Sequence, residues 1–175
     1  MIISGTNRPH SLSLKLANIC KDIMGSQNLT VPAHGLNEFC PDLSNPAYFN
    51  SENWTKSMFD YQDQFIIPTE KFIMILPEYN GSFPGILKLW MDVLSLRQRD
   101  QCFSFKKLAL IGISEGKHSN IRGLEHFSGV SRYFQMISFP KTVYLPEIQE
   151  VIENWSLTNP IGTRLQIFLD DFRKF

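Results

Sequence analysis

The chain is 175 residues long, 43% hydrophobic and 19% charged, which is the composition of a folded domain with a core and excludes a disordered tail. Lysine plus arginine and aspartate plus glutamate number 17 each, so the formal net charge is zero. That balance argues against a nucleic-acid binder, which needs a basic face, and against a strongly acidic carrier that docks on basic partners.

In chain order, a short apolar run from Met1 to Ser4 breaks at Gly5 and enters a polar loop reaching His10. Leu12, Leu16, Ile19, Cys20 and Ile23 then recur at helical spacing, and the helix is expected to end near Gly25. Thr30–Leu36 reads as a strand, interrupted by Pro32. Pro41–Asn53 is turn-rich and irregular, and Trp54–Ile67 reads as a helix stopped by Pro68. Lys71–Leu76 is a continuous apolar strand of the kind covered on both faces. A helix is expected over 84–96, a strand over 108–114, a helix over 121–137, a strand over 142–145 and a closing helix over 158–172.

Strands alternating with helices at this spacing mean an α/β fold: one parallel sheet with helices on both faces, three layers in all. Five strands fit a flavodoxin-like doubly wound sheet in the order 2-1-3-4-5, forming a single domain over 1–175. In such sheets a ligand lies beyond the C-terminal strand ends where the winding reverses, between the first and third strands. The loops to inspect are therefore 4–11, 77–85 and 114–122.

Cys20, Cys40 and Cys102 have no CxxC spacing and read as reduced thiols; the four histidines have no HExxH spacing, so no metal is expected. No stretch approaches the roughly 18 apolar residues of a membrane helix, and Met1–Gly5 does not read as a signal peptide. The expected location is cytoplasmic. The glycosylation sequons at Asn28, Asn53, Asn80 and Asn154 are then coincidental.

The first loop, Ser4–Ser13, lacks both GxGxxG and GxxxxGK[ST] but suits an anion. A helix N-terminus offers free N–H groups and the positive end of its dipole. Thr6, Ser11 and Ser13 add hydroxyls, and Arg8 adds a planar fork for phosphate oxygens. The alternative is a polar strand–helix turn in which Ser11 is only an N-cap. The second loop, Pro77–Gly85, carries Asn80-Gly81, a turn tolerant of positive φ, and Pro84 in the first turn of the next helix. It can offer backbone N–H groups to the polar edge of a flavin, with Tyr79 against the ring. The alternative is an ordinary helix entry. The helix after it is apolar nearly all round, which calls for cover on a second side; a partner subunit is one account.

Together the two loops resemble those of the NAD(P)H-dependent FMN reductase family of flavodoxin-like proteins. Its GSxRxxSxNxxLA is similar to Gly5–Ala17 here, with Thr6 for serine and Ser13 for asparagine. Its PEYNGSxPGxLKxxxD is matched by Pro77–Asp92 at every fixed position. The third loop, SxGxxGGxRA in the family, reads Ser114–Gly123 here, with Ser119-Asn120 in place of the paired glycines; the Ser119 side chain is expected to add bulk beside the ring. The resemblance implies FMN with its phosphate on Thr6, Arg8, Ser11 and Ser13. It implies the isoalloxazine over Pro77, Glu78, Tyr79, Asn80 and Gly81, beside Ser114 and Gly116. It also implies NADPH or NADH as co-substrate, a small-molecule electron acceptor and a homodimer or homotetramer. The hydride chemistry is the cofactor's, at N5, so no side chain is assigned as catalytic. His10 and His118 read as surface or supporting residues, and Arg97, Arg99 and Lys117 as solvated charge or contacts to an NADPH 2′-phosphate. A flavodoxin-style electron carrier and a degenerate FMN-binding module are the alternatives. A phospho-acceptor signalling domain is excluded, because Ser4-Gly5 and Pro77-Glu78 stand where it needs acidic residues.

Overall fold

The computed structural model describes residues 1–25 and 31–175. The Asn28 sequon and Thr30, at the start of the second expected strand, lie outside the described residues. The elements are β1 (Ile2–Ser4), α1 (Leu12–Gly25), β2 (Ala33–Gly35), α2 (Lys56–Tyr61), β3 (Lys71–Pro77), α3 (Gly85–Leu94), α4 (Arg99–Phe103), β4 (Lys107–Ile113), α5 (Ile121–Tyr133), β5 (Ile137–Leu145), α6 (Ile148–Glu153) and α7 (Pro160–Lys174). The strands form one parallel sheet in the order β2-β1-β3-β4-β5, as expected for a flavodoxin-like domain.

Side chains alternating along each strand divide the core in two. Ile73 and Ile75 of β3 pack with Leu16, Cys20 and Ile23 of α1 and Leu165, Phe168 and Phe172 of α7. Phe72, Met74 and Leu76 of the same strand pack with Trp90 and Leu94 of α3 and Phe127 of α5. Because both faces are covered, β3 is apolar without interruption. Each large side chain buried in this way contributes about 1.5–3 kcal/mol.

Several expectations are corrected. The second face of α3 is covered by the chain itself: Leu36, Phe39, Leu43, Trp54 and Met58 join Trp90 and Leu94 in one core cluster. The apolar character of α3 therefore does not call for a partner subunit. The helix expected over 54–67 begins at Lys56 and widens into a π-turn over Gln62–Ile66. Within it the fully buried Gln62 side-chain amide donates to the carbonyls of Leu94 (2.9 Å) and Arg97 (2.8 Å), closing the C-terminal end of α3. The last strand begins at Ile137, five residues before its expected start, because the register between Leu108 and Leu110 breaks opposite Phe139–Lys141. That irregularity, on an edge strand, accommodates Pro140, which cannot donate to a ladder. The helices α4 and α6 were not anticipated; at five and six residues each is too short to show a period.

Candidate functional site

At the C-terminal ends of β1, β3 and β4 the three loops border a cleft of about 800 Å³, a size suited to a cofactor. Thr6, Arg8, Ser11, Ser13, Pro77, Glu78, Tyr79, Asn80, Ser114 and Gly116 all line it. Gly81 does not. It sits in the turn beyond Asn80 with φ +79°.

The first loop can lie close against β3 because residue 5 is glycine: a Cβ there would stand 2.7 Å from the Leu76 side chain and 3.0 Å from the Ile75 carbonyl. The loop then delivers Ser11 to the head of α1. Ser11 Oγ accepts from the Leu14 N–H and from the Ser13 hydroxyl, each at 3.2 Å. It also lies 3.4 Å from the Ser4 hydroxyl, so the Ser4, Ser11 and Ser13 hydroxyls form one hydrogen-bonded triangle. Ser11 is thus an N-cap whose hydroxyl also lines the cleft, so the two readings of this loop are compatible. Ser13 plays a different part from the one expected of its hydroxyl, which is buried and bonded to Ser4 Oγ at 2.8 Å. Ser4, which the sequence reading passed over, is fully buried and anchors this hydroxyl chain.

Thr6 Oγ1 shares a 2.7 Å hydrogen bond with the Tyr79 hydroxyl and accepts from the Arg8 N–H at 3.3 Å. The Arg8 guanidinium lies 5.7 Å from the centre of the Tyr79 ring, within cation–π range. Tyr79 therefore ties the second loop to the first.

The second loop folds as a two-residue hairpin. Tyr79 and Ser82 exchange both backbone hydrogen bonds (2.8 and 3.1 Å), and Asn80 and Gly81 hold φ of +51° and +79°. Tyr79 and Ser82 thus bond each other, and the Glu78 N–H bonds the Ile113 carbonyl. Three of the loop's amides are spent on these bonds; among the described residues, those of Asn80, Gly81, Phe83 and Gly85 have no partner within the chain.

The third loop corrects the expectation about Ser119. Ser119 and Asn120 take up left-handed backbone (φ +51° and +59°), the conformation paired glycines adopt without strain. Both are buried, and neither lines the cleft. The Asn120 amide donates to the carbonyls of Leu76 (3.0 Å) and Pro77 (3.1 Å), clamping the strand end from which the second loop springs. The Ser114 hydroxyl donates to the Gly116 carbonyl and accepts from the Ser119 N–H, so it braces this loop. Gly112 makes the close packing possible, since a Cβ there would lie 2.3 Å from the Ser119 carbonyl oxygen.

His10 and His118 also line the cleft, as does Lys15, one turn beyond Ser11 on α1. Arg97 and Arg99 do not: Arg97 pairs with Asp63 at 2.6 Å, and Arg99 donates to the Tyr133 carbonyl at 2.9 Å. Lys117 is exposed beside His118. A fourth wall, missed with its helix, comes from Ile148, Gln149, Ile152 and Glu153 of α6.

Residues 1–150 match the family described as NADPH-dependent FMN reductase. The chain belongs to that family. It is accordingly an oxidoreductase that uses FMN, with NAD(P)H as co-substrate. Among solved structures of similar fold, the flavoenzyme NAD(P)H:(acceptor) oxidoreductase FerB from Paracoccus denitrificans superposes with a TM-score of 0.70 at 19% identity, covering 99% of this chain and 93% of that one. The apo form of an NADH:FMN oxidoreductase gives 0.70 at 15% identity, covering 99% and 87%. General stress protein 14 from Treponema denticola, in complex with FMN, gives 0.63 at 14% identity, covering 98% and 97%. At these identities the likeness concerns the fold. Comparison with curated protein sequences finds no match.

The cleft of this FMN reductase homologue suits the cofactor on its own terms. Among the described residues the amides of Leu12 and Ser13, which open α1, have no carbonyl partner, the Ser11 hydroxyl lines the cleft beside them, and Arg8 adds a cation to the same wall. These are the groups a phosphate monoester needs.

Proposed function

We propose that this chain passes a hydride from NADPH or NADH, by way of FMN, to a small acceptor such as a free flavin, a quinone or an azo compound. The supporting observation is the convergence at one cleft of the head of α1 and the Tyr79–Ser82 hairpin, joined by the Thr6–Tyr79 hydrogen bond. When bound, FMN supplies reversible two-electron chemistry. The protein's part is to bind and orient. Thr6, Arg8, Ser11 and the α1 amides would hold the phosphate. Pro77, Glu78, Tyr79, Asn80 and Gly81 would border the ring, and Ser114, Gly116 and Ser13 would keep the surrounding loops in place. The reading includes a single domain over 1–175, a cytoplasmic location and a homodimer or homotetramer. Among the described residues no helix is long and apolar enough to cross a membrane.

The test is to load the protein with FMN, desalt it and follow flavin absorbance anaerobically as NADPH or NADH is added. Rapid bleaching is expected, and the faster nucleotide names the donor. Bound flavin that stays oxidised with both would overturn the reductase reading in favour of a carrier or binding module. In the same assay Arg8→Ala should weaken FMN binding about tenfold, the loss of one charge-assisted contact, about 1.4 kcal/mol. Unchanged affinity would remove Arg8 from the phosphate site.

A further inference from the structure

The Tyr79–Ser82 hairpin is held from both sides. On the cleft side Tyr79 is tied to Thr6. On the far side Ser82 and Phe83 sit on one face of α5, made by Gly123, His126 and Phe127 at the three- and four-residue spacing of neighbours on a helix. Each of the three has its own part. Gly123 lets the hairpin come in close, since a Cβ there would stand 2.7 Å from the Phe83 nitrogen. Phe127, fully buried, meets the Phe83 ring edge-on at 5.3 Å. His126 lies beside the same ring at 5.0 Å, and its Nδ1 is 2.8 Å from the Ser82 hydroxyl oxygen. That bond forms in either proton state of the imidazole, because a hydroxyl can donate to Nδ1 or accept from it. Asn80 lines the cleft between the two tethers, and among the described residues its amide has no partner within the chain.

We infer that His126 is a positioning residue for the cofactor ring: through Ser82 it fixes the direction in which the hairpin presents the Asn80 amide. The inference rests on the flavin reading above. The backbone bonds between Tyr79 and Ser82 close the turn without help. Losing the His126 bond therefore leaves the hairpin formed but free to pivot about the Thr6–Tyr79 tether. An N–H donor holds a ring that has gained electrons more strongly than an oxidised one, since hydrogen bonds to charged acceptors are the stronger kind. The aim of the amide matters most to the reduced cofactor.

Two substitutions at this exposed position separate the bond from the ring packing. His126→Phe keeps a ring against Phe83 and removes Nδ1. His126→Asn removes the ring and keeps a hydrogen-bonding atom near the place of Nδ1. The FMN-loaded proteins are compared by reduction against a reference dye, which reads the two-electron potential, and by FMN titration. His126→Phe should weaken the hold on reduced relative to oxidised FMN about tenfold, lowering the potential by about 30 mV, with oxidised FMN bound within about threefold of wild type. Ser82→Ala should do the same, and the double variant no more than either alone. His126→Asn should keep the wild-type potential. An unchanged potential in His126→Phe overturns the inference and leaves the flavin reading standing. So do equal shifts in His126→Phe and His126→Asn, which would assign the effect to ring packing, and so does additivity in the double variant. If wild type binds no FMN, both readings fall.

Discussion

The two ends of the sheet face opposite electrostatic problems and solve them differently. At the C-terminal end of the strands the helices begin, and at the head of α1 the Leu12 and Ser13 amides have no carbonyl partner among the described residues. At the N-terminal end the helices finish, exposing carbonyls, and lysines cover them. Lys106 donates to the carbonyls of Ile66 and Ile67, each at 2.7 Å, and Lys71 donates to Arg173, also at 2.7 Å. Lys107 bonds the carbonyl of Phe175. Parallel βα connections sort helix dipoles in this way, gathering positive ends on one side of the sheet and negative ends on the other. The protein neutralises the negative side with its own side chains and leaves the positive side for a ligand. A binding site is thus the end of the fold whose polar groups are left without protein partners.

The comparison is broken most severely through the backbone packing under the cleft. Gly112→Val should cost about 3 kcal/mol in denaturant unfolding, because the new side chain meets the Ser119 carbonyl rather than a movable side chain. Flavin binding should fall with it, since Asn120 is held by the same loop. A cost below about 1 kcal/mol would show that the third loop yields easily.

The lysine end is tested by pH. Burial lowers Lys106 from 10.5 to about 8, so between those values the unfolded chain binds more proton than the folded one and stability should rise with pH. Buried Cys20, Cys102 and Tyr61, all raised by desolvation, act in the opposite direction as their unfolded counterparts ionise. The difference between wild type and Lys106→Met isolates the lysine: relative to the variant, wild type should gain stability from pH 8 to pH 10. A constant difference would mean that Lys106 keeps an ordinary proton affinity.

The smallest effect sharpens the picture of the cleft. Ser119→Gly relieves a left-handed serine and should add up to about 1 kcal/mol of stability, with flavin affinity unchanged. A marked gain in flavin affinity would instead place the Ser119 side chain in the ring's way.

What the sequence by itself determined was local and periodic. The apolar run of Lys71–Leu76 declared a strand covered on both faces, Asn80-Gly81 declared its turn, and the α1 spacing with Ser11 declared a helix head. The alternation of elements was enough to place the cleft at the ends of β1 and β3. What only the tertiary structure decided was which surfaces meet. Pattern alone did not show that residues 36–58 fold over α3, that Gln62 reaches Leu94, or that Ser4 engages the Ser13 hydroxyl. Nor did it reveal that Asn120 turns back onto Leu76 and Pro77, or that α6 walls the cleft. Periodicity records which face of an element is buried, because that is a property of neighbouring residues. The partner on that face is set when distant segments close on one another, and residues dozens of positions apart carry no shared local signal of it.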